Sequence, residues 1–168
     1  MQRRFLLTGM VSGAALTLAG CGFELRKAPN FPFKTLFSPF GDTSVLGIEL
    51  KRSLESNGTV KVITDTRLID TADVILDVLR ETREKVVVSR NAFGQVREFQ
   101  LRLRFGFKLR TPKGKELIPA SEILQQRDIS FNESAVLAKE AEEGLLYREM
   151  QSDIVQQIMR RLAAVTDL

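Results

Sequence analysis

The chain carries few groups able to do covalent chemistry. Of its 168 residues one is cysteine, Cys21, and none is histidine. A lone thiol can act as a nucleophile or a modification point, but with no second cysteine it forms no intramolecular disulfide. The lack of histidine removes the commonest general base and the commonest metal ligand. Ser-His-Asp and Cys-His devices are therefore impossible, and so are the usual zinc sites. The carboxylates form no catalytic or metal-binding pattern, and no Gly-rich phosphate loop is present. The residue types point away from an enzyme, with no catalytic and no metal residues to name. What remains is charge at a regular spacing. Arg102, Arg104, Lys108 and Arg110 alternate with apolar residues in one run, "EFQLRLRFGFKLR" at 98–110. Alternate residues of a strand lie about 6.8 Å apart, a spacing that can follow phosphates along a polyanion. The other reading is a solvated sheet face on which Glu81 or Glu84 of a neighbouring strand pairs with the stripe.

The surroundings of Cys21 give its thiol a different use. Arg3 and Arg4 form a positive n-region, Phe5 to Leu18 an interrupted apolar stretch, and small residues lead to the cysteine. That is the layout of an export signal, too short and too broken for a comfortable membrane span. The spacing of Arg3-Arg4 to Phe5 does not suit the twin-arginine motif, so the general secretory route is the expected one. Leu18-Ala19-Gly20-Cys21 resembles the bacterial lipobox, which implies cleavage before Cys21. It also implies a covalent S-diacylglycerol and N-acyl lipid on that residue as the only attached group. Several acyl chains on one residue make a stable anchor, where one chain holds only marginally. An ordinary export signal with an incidental cysteine is the alternative. Gly22 stands where lipoproteins kept in the inner membrane usually have Asp, so the resemblance implies the outer membrane. Residues 1–20 are thus expected to be removed and 21–32, with Pro29 and Pro32, to form a tether; 33–168 suits a single domain.

The pI near 9.5 would suit nucleic acid, but an exported chain rarely meets any. Without the two leader arginines the balance is only slightly basic, so any anion binding must come from local clustering. A hydrophobic content of 43% permits a core that needs no cross-links.

Several elements must position these residues. A first strand is expected around 33–40, then a turn at Gly41-Asp42-Thr43. Leu46, Leu50 and Leu54 recur every four residues and predict an amphipathic helix, capped by Thr43 or Ser44 and ended by Asn57-Gly58. "VKVI" at 60–63 begins a short strand, and the β-branched run at 71–91 suits a long one, bent in its charged middle. "NAFGQ" at 91–95 supplies a hairpin turn, with Gly94 available for positive φ. Residues 98–110 alternate strictly, so one face is packed and the other wet. A third long strand follows at roughly 117–130. Leu146, Met150, Ile154, Ile158 and Leu162 form one stripe of a long final helix, with Gly144 as a kink or as the boundary of a shorter helix at 134–143. Two helices packed on one face of a mainly antiparallel sheet make an α+β sandwich.

Three stretches resemble the family of LPS-assembly lipoproteins called LptE. They are "CGFELR" at 21–26, "SRN…GQ…EFQ" across 89–100, and residues 127–162 with Asn, Leu-Ala-Lys, Met and Arg-Leu landmarks in order. The resemblance covers essentially the whole exported chain. It implies two helices on a four-stranded sheet. It implies an outer-membrane subunit, anchored on the periplasmic side and seated 1:1 in the lumen of the LptD β-barrel. There the family plugs the barrel, helps it assemble and binds lipopolysaccharide (LPS) for delivery to the outer leaflet. By motif, Arg90 of Ser-Arg-Asn and Lys139 of Leu-Ala-Lys correspond to basic LPS-binding positions. An outer-membrane lipoprotein that binds another anionic envelope lipid or polymer, without a barrel partner, is the alternative.

Overall fold

The computed structural model describes residues 29–42, 44–56, 58–166 and 168. Strands β1 (Thr35–Phe37), β2 (Lys61–Ile63), β3 (Val74–Arg90), β4 (Val96–Arg110) and β5 (Glu116–Ser130) form one sheet in the order β2-β1-β3-β4-β5. Helices α1 (Val45–Glu55) and α2 (Val136–Ala163) pack on it. The α+β class and the two helices are as expected. The sheet, however, has five strands and not four, and it is mixed. β1 runs parallel to both β2 and β3, while β3, β4 and β5 form an antiparallel meander. The fifth strand is β2, joined to β1 through α1, the kind of helical connection that parallel pairing requires.

The alternation in β4 builds the core. Leu101, Leu103, Phe105, Phe107 and Leu109 are all buried, against Leu46, Leu50 and Leu54 of α1 and Met150, Ile154, Ile158 and Leu162 of α2. Leu146, the first residue of the expected stripe, is partly buried. Phe31, at the end of the segment read as tether, is only 7% exposed and lies 5.6 Å from the Phe33 ring. The far side of β1 carries a second cluster. Phe37, Ala72 and Ile75 are covered there by Ile63 and by Ile69 of a 3-10 turn, Thr66–Thr71.

Local chemistry sets the joints. Ser44 caps α1, its hydroxyl accepting from the Gly47 N–H at 2.9 Å. Gly47 is required by contact: a Cβ there would sit 2.1 Å from the Phe40 carbonyl oxygen. The β3–β4 turn closes as expected, with Asn91 Oδ1 accepting from the Phe93 and Gln95 N–H groups and Gly94 at φ 81°. A bulge between Val78 and Arg80 breaks the β3 register. Helix α2 runs unbroken through Gly144, correcting the expected boundary there. A Cβ on Gly144 would meet nothing nearer than Arg148 Nη1 at 3.7 Å, so this glycine makes no close contact. Among the described residues no helix is long and apolar enough to cross a membrane.

Candidate functional site

The structure separates the predicted basic residues into two places. Cys21, with the leader at 1–20 and the first part of the expected tether, lies outside the described residues.

The stripe of β4 occupies the face away from the helices, where carboxylates meet most of it. Arg104 lies 3.1 Å from Glu122 of β5 and 3.9 Å from Glu84 of β3. Arg110 and Lys108 share Asp77, at 2.7 and 3.7 Å. The Arg102 Nε–H donates to Gln100 Oε1 at 2.8 Å. Of the two carboxylates expected from β3, Glu84 serves and Glu81 does not. Glu81 is the register partner of Phe105, whose side chain faces the helices. Asp77 and Glu122 were not foreseen, because only the register reveals them. Pairs this exposed contribute roughly 0.2–1 kcal/mol each. Three of the four cations, Arg104, Lys108 and Arg110, thus meet carboxylates on this solvated face, and Arg102 meets an amide.

Arg90 and Lys139 lie together at the other feature, the hairpin-tip end of the sheet. The Arg90 guanidinium donates to the Gly94 carbonyl at 3.0 Å across the turn. Lys139, in the first turns of α2, donates to Ser130 Oγ at 2.9 Å and pairs with Glu142 at 2.8 Å. Ser130 is opposite Glu98 on β4, and Glu98 is opposite Ser89, the neighbour of Arg90. Two interstrand steps, about 10 Å, thus separate Ser89, next to Arg90, from Ser130, which Lys139 contacts.

Lys139 borders a cleft of about 60 Å³ that the sequence did not disclose. Its walls include Lys85, Phe99, Ile129, Ser130, Val136 and Glu143. Lys85 pairs with Glu143 at 2.6 Å while its ammonium lies 4.4 Å from the centre of the Phe99 ring. Phe99 meets Phe131 edge to face at 5.3 Å. A wider polar hollow of about 130 Å³ adjoins it, lined by Asn91, Gln95, Arg97 and Glu133 among others. The only sequence signal for Lys85 was its place on the charged middle of β3.

One buried phenol braces this region. The Tyr147 hydroxyl donates to the Glu84 carbonyl at 2.7 Å, and the Arg83 guanidinium lies 3.5 Å above its ring. Burial raises the phenol pKa above its ordinary value. Among the described residues no acidic, cysteine or histidine group could hold a metal ion.

Fold and site together define an α+β domain of two helices on a mixed sheet. It carries a charge-matched sheet face and, at one end, a cleft where two lysines meet aromatic and aliphatic walls. The family model described as LptE, lipopolysaccharide-assembly, matches residues 33–162, and the chain belongs to that family. An LPS-assembly lipoprotein LptE of Pectobacterium atrosepticum is 29% identical over 171 residues, covering 98% of this chain and 88% of that protein. One of Yersinia pestis is 30% identical over 167 residues, covering 98% and 78%. Among solved structures, lipoprotein B of Nitrosomonas europaea superposes with TM-score 0.72 at 33% identity, covering 85% of this chain and 91% of that one. Rare lipoprotein B of Shewanella oneidensis, at 22% identity and TM-score 0.62 over 78% and 95%, shares the fold. The protein is thus an LPS-assembly lipoprotein of the cell envelope, from a family that is not enzymatic.

Proposed function

We propose that the protein is an outer-membrane subunit of the LPS translocon. It is held by lipid on Cys21, seated as a plug in the lumen of an LptD β-barrel whose assembly it aids, and binds LPS on its way to the outer leaflet. In this reading residues 1–20 are removed on export and 21–32 form the tether, its end pinned to the core by Phe31.

The observation that carries the reading is the tip-end cleft. LPS presents phosphates beside acyl chains, and this cleft presents lysines beside Phe99, Ile129 and Val136. Lys139 and Lys85 are held by Glu142 and Glu143, so an arriving phosphate exchanges one anionic partner for another. Arg90, at the hairpin tip outside the cleft lining, offers a planar fork at the same end of the sheet. Such contacts compete with the divalent cations that cross-link LPS, which loosens its aggregates. The charge-matched face of the sheet suits an aqueous lumen, because it exposes paired polar groups to a polar wall.

The test is a double substitution, Arg90→Asp with Lys139→Asp, in protein shown to unfold at the wild-type midpoint. Binding to LPS should fall while the fold holds. Unchanged affinity in the folded variant refutes the LPS-binding role. Co-purification from outer membranes should recover a large β-barrel protein at 1:1, and its absence refutes the plug.

A further inference from the structure

We propose that the end of the domain opposite the hairpin tip is a docking surface for the anionic lipid headgroups of the leaflet that holds the anchor. The proposal rests on the lipid-anchored reading of Cys21.

The topology brings many chain ends to this place. Strands β1, β2, β3 and β5 start here, β4 ends here, and both helices finish here. Lys34 and Lys61 lie side by side, since the Lys61 N–H donates to the Lys34 carbonyl at 2.8 Å and Thr35 is the register partner of Lys61. Arg52 sits in the last turn of α1, Arg160 in the last turn of α2, and Lys113 in the β4–β5 turn. All five are exposed. None of them has an ion-pair partner among the described residues.

Two of the acidic groups at this end hold backbone N–H groups rather than side-chain cations. The Asp73 carboxylate accepts from the N–H groups of Lys34 and Thr35, at 2.8 and 2.9 Å. Glu55 accepts from the Val62 N–H at 3.4 Å. Glu55, Asp70, Asp73 and Glu116 thus set four carboxylates against five cations, none of which is ion-paired among the described residues. The negative ends of the two helix dipoles are met by Arg52 and Arg160. At the hairpin-tip end the free charges include acids: Glu98, Glu133 and Glu140 have no ion-pair partner among the described residues. This end therefore keeps a small positive balance, all of it on unpaired side chains, and it lies toward the segment that leads to Cys21.

That segment selects the partner. From Cys21 to Lys34 is thirteen residues, a stretch that spans at most about 45 Å. An anchored domain can never leave the neighbourhood of its leaflet, so even weak attraction acts at high effective concentration. Headgroup attraction fades within a Debye length, about 8 Å at physiological salt, so only an end-on pose engages all five cations. Docked this way, a subunit not yet seated in a barrel stands upright and turns its hairpin tip, with Phe93 89% exposed, away from the membrane.

The test imposes the anchor chemically. A chain beginning at Cys21, which retains every residue of both packed clusters, is coupled through its single thiol to a maleimide lipid. The vesicles are phosphatidylcholine alone or phosphatidylcholine with phosphatidylglycerol. On the anionic vesicles Lys34, Lys61 and Lys113 should react several-fold more slowly with an amine reagent than on the zwitterionic ones. High salt should abolish the protection, and Lys139 should react equally on both. In the uncoupled chain carrying Cys21→Ser, Gln at Lys34, Arg52, Lys61 and Lys113 should weaken binding to the anionic vesicles, roughly fivefold per residue. Equal labelling on both vesicle types overturns the proposal and leaves the basic end to an acidic protein. Protection of Lys139 in place of Lys34 and Lys61 also overturns it. Neither result depends on acylation in cells, which is read separately from whether Cys21→Ser releases the protein from membranes.

Discussion

Two helical glycines should respond oppositely to the same substitution. Gly→Ala inside a helix normally stabilises by about 1 kcal/mol, since alanine loses less backbone freedom on folding. At Gly144 nothing opposes that gain, because the new methyl would approach only the flexible end of Arg148, at 3.7 Å. At Gly47 it would sit 2.1 Å from the Phe40 carbonyl oxygen and 2.9 Å from its carbon. Both are backbone atoms in the 3-10 turn Pro39–Asp42, so no rotamer change relieves the contact. Relief requires α1 to lift from that turn by about an ångström, which loosens Phe40 from Phe105 (5.4 Å between ring centres) and strains the Ser44 cap. Overpacking of this kind costs about 1–3 kcal/mol, and loss of the cap adds up to about 1 more. The first-turn position also reduces the propensity gain, so the clash wins. Urea unfolding should show Gly47→Ala destabilised by about 2–3 kcal/mol and Gly144→Ala stabilised by up to about 1, a split of several degrees in Tm. Equal midpoints for the two variants would refute the close approach of α1 to the turn.

Replacing Asp73 with Asn should destabilise by about 1–2 kcal/mol, because an amide accepts the two N–H bonds more weakly than a carboxylate does. Burial alone would raise the Asp73 pKa, but the N–H groups of Lys34 and Thr35 outweigh it and hold the carboxyl below its ordinary value. The stability it contributes is therefore present above the unfolded carboxylate pKa, about 4, and lost as pH falls through the folded one. Wild type should lose more stability than Asp73→Asn between neutral pH and about pH 3, read from urea midpoints. Tyr147→Phe should cost about 1 kcal/mol for the lost bond to Glu84, with the ring contact to Arg83 kept, and calorimetry checks it. Arg104→Gln should change stability by less than about 1 kcal/mol, since its two carboxylates are solvated, and a denaturant curve decides.

Much of this fold is legible in the order of its residues. β4 was legible because both of its faces report, the inner through Leu101 to Leu109 and the outer through its arginines. The stripe of α2 was legible for the same reason, and Ser44 was one of two named caps. The 3-10 turn at 66–71 was not, because its one covering residue, Ile69, makes no period. Gly144 was read as a kink or boundary, yet one glycine costs a helix of this length too little to end it. In the site, Arg90 and Lys139 came by resemblance alone. Lys85, Glu143 and Phe99 could not be found, because α2 and β5 bring them together only after the meander has set its register. The charge matching of the stripe was undecidable for the same reason. Asp77 is thirty-three residues from Arg110, and Glu122 is eighteen from Arg104.

β1 has only three residues, yet it lies inside the sheet, parallel to both neighbours. Any pull on the N-terminal segment therefore runs along the axis of β1. The ladder bonds to β2 and β3 lie across that direction and are loaded together in shear, where a hairpin edge would unzip one bond at a time. The Asp73 carboxylate grips the Lys34 and Thr35 N–H groups at the point where the force enters. A very short strand thus becomes a mechanical fastening, and the domain resists traction on the chain that enters β1 better than its size suggests.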